Sequence, residues 1–70
     1  MIQYNRIKEV LVREKKTNKD LAEYMGVREP TVSNWCTNTN QPSIQDLYRI
    51  SKFLKVDIRE LLVSTSWKDD

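Results

Sequence analysis

Histidine is absent from these seventy residues, and cysteine and glycine each occur once. Without an imidazole, and with Cys36 isolated, no nucleophile–base pair can be assembled, and no glycine-rich phosphate loop is present. An enzyme is therefore not expected, nor is a bound cofactor. A lone thiol with no histidine likewise gives no ligand set for a metal, and the expected role of Cys36 is a small buried or half-buried filler. One cysteine forms no internal disulfide, so the reducing cytoplasm is the expected compartment. No apolar run nears the roughly eighteen residues that a membrane span needs. No signal-peptide apolar region, internal repeat or low-complexity tract is visible, and no membrane role is expected.

What remains is the composition of a small helical globule. The apolar content of 39% is too high for a disordered chain. The length suits one domain near the lower limit for a core that folds without metal or disulfide. The net charge of +2 is unevenly spread. Residues 1–41 carry seven Lys/Arg against five Asp/Glu, and residues 42–70 carry five of each. The positive excess thus falls in the first part of the chain.

Apolar residues recur at helical spacing. A first helix is predicted from Gln3 to Lys15, with Ile7, Val10, Leu11 and Glu14 on its inward edge. Its Arg6, Lys8, Arg13, Lys15 and Lys16 read as a solvated face. Thr17 and Asp20 are spaced as a capping box, opening a second helix from Asn18 to Met25. Glu29-Pro30 opens a third, since proline is favoured in the first turn, with Val32, Trp35 and Cys36 inward. Thr37 to Pro42 reads as loop. Ser43 and Asp46 form a second capping box before a helix with Ile44, Leu47, Ile50 and Leu54 on one face. Asp57 and Glu60 make a third N-terminal signal leading into Ile58, Leu61 and Leu62. The expected architecture is all-α, with five helices over residues 1–63 and no strand. A short polar tail, 64–70, follows, and its Trp67 either packs back or joins a dimer contact with Leu62 and Val63.

The lone glycine sits at the most telling place. Leu21, Ala22 and Met25 form one apolar stripe, Gly26 and Val27 follow, and Val32 and Trp35 form a second stripe. Glycine adopts positive φ without a steric penalty, which a tight turn between helices demands. Ala22 faces that turn, where a larger side chain would push the helices apart. A helix, a short glycine-containing turn and a second helix make a helix-turn-helix, whose second helix enters the DNA major groove.

These residues, with Thr31-Val32-Ser33, Gln41-Pro42-Ser43, Leu47, Ile50, Leu54-Lys55-Val56 and Leu61-Leu62, resemble the Cro/Xre-type helix-turn-helix regulators. The resemblance covers about residues 5–63 and implies a compact lambda-repressor-like domain. Three departures stand out. Arg28 and Glu29 replace the usual Ser or Thr cap after the turn. Cys36-Thr37-Asn38 replaces the usual acidic residue and glycine, so that Asn38 or Asn40 is expected to take the left-handed conformation. Asn18 stands where the second helix often begins with glutamine.

With the third helix in the groove, its outward residues Arg28, Glu29, Thr31, Ser33, Asn34 and Thr37 would meet the bases. Asn34 is the leading candidate, since asparagine pairs bidentately with adenine, while Thr31 and Ser33 are versatile. Arg28 reads guanine or holds a phosphate. Glu29 either accepts from cytosine or excludes wrong sites. Phosphate contacts are expected from Asn18, Lys19, Asn38, Thr39, Asn40, Gln41 and Ser43, at helix starts and in the polar loop. Trp35 reads as core rather than as a base-stacking platform.

The implied activity is sequence-specific binding of a double-stranded DNA operator by a homodimer, acting as repressor or autoregulator. RNA polymerase or a toxin is a further candidate partner. The alternative is an antitoxin or adaptor of the same fold whose main partner is another protein. The small, polar outward residues favour the groove.

Overall fold

In a computed structural model describing residues 2–67, the local signals at helix starts act where the sequence puts them. The Thr17 hydroxyl accepts from the Asp20 amide (3.1 Å), and the Asp20 carboxylate accepts from the Thr17 amide (2.9 Å). Each bond satisfies an amide that helix geometry leaves free. The Ser43 hydroxyl accepts from the Asp46 amide (3.0 Å), without the reciprocal bond. Four α-helices result: α1 (Ile7–Arg13), α2 (Asn18–Met25), α3 (Glu29–Cys36) and α4 (Ile44–Leu54). The Asp57–Glu60 capping box opens a 3-10 turn, Ile58–Leu61, instead of a fifth α-helix.

Helix ends follow one rule. Each α-helix closes with a residue at positive φ: Lys15 (59°), Gly26 (70°), Asn38 (62°) and Lys55 (57°). The residue that follows donates back five positions: Lys16 to Leu11 (2.8 Å), Val27 to Ala22 (3.1 Å), Thr39 to Asn34 (2.9 Å) and Val56 to Ser51 (3.0 Å). This is the pattern by which a left-handed residue satisfies the last free carbonyls. Asn38 is the asparagine that takes this conformation; Asn40 does not.

The core is drawn from every element: Ile7, Val10 and Leu11; Leu21, Ala22 and Met25; Val32 and Trp35; Leu47, Ile50 and Leu54; and Leu61. Val27, Cys36, Phe53, Val56 and Ile58 pack half-buried against it. Tyr24 of α2 packs on Phe53 of α4 with ring centroids 4.6 Å apart.

Several expectations are corrected. The first helix starts at Ile7, because residues before it run extended beside the end of the chain. Asn5 and Leu62 form an antiparallel bridge, the Arg6 amide donates to the Leu61 carbonyl (2.8 Å), and the Val63 amide donates to Tyr4 (3.1 Å). Among the described residues this single bridge is the only β-pairing. Glu14 is exposed, since α1 has already ended and its carboxylate pairs with Arg13. Ile44 is 63% exposed, and the buried face of α4 begins only at Leu47. Leu62 lies past the 3-10 turn and is exposed, as is Trp67, at 86%. Trp67 therefore does not pack back onto the core. The rest of the expected tail, 68–70, lies outside the described residues. No described helix is long and apolar enough to cross a membrane.

Candidate nucleic-acid interface

The turn between α2 and α3 is built on Gly26, whose φ of 70° a side chain resists. Open space surrounds the position a Cβ would take, so the requirement is conformational and not steric. Arg28 is extended and leads into α3 without a side-chain cap, and Pro30 stands in the first turn. Val32 and Trp35 are buried against the core, Trp35 at 5% exposure. They hold α3 from behind, and α2 and α3 pack more extensively than any other pair of elements.

That packing decides what α3 presents. Arg28, Glu29, Thr31, Asn34 and Thr37 are exposed, and Ser33 is half-buried. The side chains of Arg28, Glu29, Thr31, Ser33 and Asn34 make no hydrogen bond or ion pair among the described residues. The Thr37 hydroxyl donates to the Asn34 carbonyl (3.3 Å) and shares a 2.8 Å bond with that of Thr39. The result is a row of small polar groups with open donors and acceptors along one helix.

The flanking candidates divide into two sets. Lys19, Thr39, Asn40 and Ser43 are exposed. Asn18 is half-buried, and its Oδ1 accepts from Lys8 Nζ (3.4 Å) and from the Cys36 thiol (3.5 Å). Burial pushes the Cys36 thiol above its usual range, the filler role expected of it. The side chains of Asn38, half-buried, and Gln41, still exposed, bond to the N-terminal segment. Asn38 Oδ1 accepts from the amides of Tyr4 (2.8 Å) and Asn5 (2.9 Å), and Asn5 Nδ2 donates to Gln41 Oε1 (2.7 Å). Asn5 had no place among the candidates. The signal was available: it is a capping-type residue two positions before the first buried isoleucine, and its Oδ1 accepts from the Ile7 amide (3.0 Å).

The helix-turn-helix family model matches residues 7–61, which include all four α-helices, the 3-10 turn and the Gly26 turn. The chain belongs to the helix-turn-helix family. Among solved structures, this helix-turn-helix chain is similar to a proposed DNA-binding protein from Bacteroides fragilis. The two are 47% identical, with a TM-score of 0.84 over 84% of this chain and 95% of that one. It is also similar to a transcriptional regulator from Listeria innocua (25% identity, TM-score 0.73, 97% of this chain and 68% of that one). The N-terminal DNA-binding domain of SinR from Bacillus subtilis is a third neighbour, at 33% identity and TM-score 0.66 over 77% and 80% of the two chains. No curated protein matches the chain.

Proposed function

We propose that this chain is a sequence-specific double-stranded DNA-binding regulator of transcription, a repressor or autoregulator that occupies an operator as a homodimer. In this reading α2 and α3 form the helix-turn-helix, as helices two and three of a five-element lambda-repressor-like domain, and α3 lies in the major groove. One observation carries it: the outward row of α3 is polar, its side chains from Arg28 to Asn34 enter no bond among the described residues, and two buried side chains brace it. Asn34 at its centre has the donor–acceptor pair that recognises adenine, flanked by Thr31, Ser33 and Thr37. Arg28 and Glu29 lead the helix in. Lys19, Thr39, Asn40 and Ser43 supply phosphate contacts at the margins, with Asn18 beside the start of α2. The three similar structures, each described as DNA-binding or regulatory, support the same reading.

Single half-sites give modest specificity, so two copies on sites about one helical turn apart are expected. The face for pairing is the uncharged apolar groove lined by Ile2, Tyr4, Leu62, Val63 and Trp67. It offers no cation to DNA, and a two-fold copy seated on it would bury no charge. The role is binding and not catalysis, in keeping with a chain that lacks histidine.

Selection of bound duplexes from a random pool, with sedimentation of the protein and its complex, tests the reading. Enrichment of a two-fold-symmetric motif bound by two copies supports it. No enrichment, with the chain monomeric on DNA, overturns it.

A further inference from the structure

Asn5 is only 1% exposed and lies in no helix, yet every polar atom of it is bonded. Its Oδ1 accepts from the Ile7 amide, and its Nδ2 donates to the Trp35 carbonyl (3.0 Å) and to Gln41 Oε1 (2.7 Å). Its own amide donates to Asn38 Oδ1 (2.9 Å), and its carbonyl accepts from Asn38 Nδ2 (3.2 Å). Gln41 Nε2 closes the net by donating to the Asn38 carbonyl and to Asn38 Oδ1, both at 3.3 Å. One buried carboxamide thus joins the start of α1, the last turn of α3 and two residues of the loop between α3 and α4. A net of this kind permits one arrangement, because any other leaves buried donors and acceptors without partners.

We infer that Asn5 is a positioning residue for DNA binding. Acting through Asn38 and Gln41, it fixes the end of α3, which carries Thr37 toward the bases, and the loop where Thr39, Asn40 and Ser43 meet the phosphates beside the groove. The inference rests on the reading of α3 as the groove helix. Phosphate contacts set the register of the base-reading side chains, so a loop free to drift would lose affinity although every contacting residue is still present. Asn5 itself touches no DNA in this arrangement.

Two variants of the full chain test it, Asn5→Ala and Asn38→Gly. The second keeps the left-handed backbone that residue 38 adopts, with φ of 62°, and removes only the side-chain bonds. Each is titrated with the selected duplex and with a random-sequence duplex over a salt series, at a temperature where circular dichroism shows it folded. The expected result is binding of the selected duplex roughly tenfold weaker. The preference for the selected duplex over the random one should narrow. The slope of log affinity against log salt should stay near that of the wild type, because residues 37–43 carry no charge. Wild-type affinity and wild-type preference for the selected duplex in folded variants, whatever their melting temperature, would overturn the inference, since the net would then serve the fold alone. Failure of both variants to fold would overturn it in the same way; if only Asn5→Ala fails, Asn38→Gly decides. A wild-type chain that binds no duplex defeats the functional reading and this inference together, whereas wild-type binding with unaffected variants defeats only the inference.

Discussion

The side of the molecule where α1 meets the 3-10 turn and the side formed by α2 and α3 hold charged residues in opposite states. On the first, Arg13 bonds Glu60 (2.8 Å) and Glu14 (3.2 Å), Arg59 bonds Asp57 (2.9 Å), and Arg6 bonds Glu9 (3.2 Å). On the second, Lys19, Arg28 and Glu29 are exposed and enter no ion pair among the described residues. Paired charges cancel within a few ångströms and project little field, while the unpaired cations Lys19 and Arg28 remain available to an approaching polyanion and the unpaired Glu29 resists it. The net charge of +2 therefore says less about binding than the pairing pattern does. One side is tied to itself, and the other is open to a ligand.

The most severe way to break this contrast is to remove what supports the open side. Trp35→Ala should destabilise the fold by about 3–5 kcal/mol, a large share of what a domain of this size has. Urea unfolding measures it, and a loss well under that range would mean that α3 is held by something other than its indole. Next, Asn34→Ala should weaken binding to the selected operator by about 1–3 kcal/mol and relax preference at one base position. Because Asn34 is exposed and unbonded, the unfolding midpoint should stay near that of the wild type. Lys19→Ala should weaken selected and random duplexes alike and lower the salt slope by about one, as a phosphate contact does. A sequence-dependent loss would move Lys19 into the reading set.

The smallest effect belongs to the paired side. Glu60 is held below its ordinary value of 4.5, first by the Arg13 guanidinium and then by the Asp57 amide. A carboxylate whose folded-state pKa is depressed contributes fully above its unfolded value, and that contribution is lost as pH falls through the folded value. Glu60→Gln should therefore flatten the acid limb of melting temperature below about pH 4.5, while leaving DNA affinity at neutral pH unchanged. A fall in neutral-pH affinity would erase the distinction between the two sides.

Legibility in the sequence tracked the range of the interactions involved. The limits of α2 and the opening of α3 follow from chemistry within five positions: a threonine and an aspartate three apart, a glycine, a proline. The same chemistry calls for a left-handed asparagine after α3 but leaves Asn38 and Asn40 open, and the fold takes Asn38. The buried stripes through Leu21, Ala22, Met25, Val32 and Trp35 follow from helical period alone. The extended start of the chain was not legible, because its conformation depends on Leu61 to Val63 at the other end. Nor was the bonding of Asn38 and Gln41 to the N-terminal segment. A polar side chain in a polar loop reads the same whether it faces water or a buried asparagine thirty-three residues away. The exposure of Ile44 has a similar origin, since period assigns a face but not where its burial begins.

The scarcity of glycine leaves a mark on the helix ends. Lys15 and Lys55 are exposed residues held at φ of 59° and 57°, where a Cβ crowds the backbone and glycine would sit at ease. Neither belongs to α3 or to the loop that follows it. On the proposed reading, heat tolerance and target choice can therefore be altered separately, the first through substitutions at 15 and 55 and the second through those from 28 to 37.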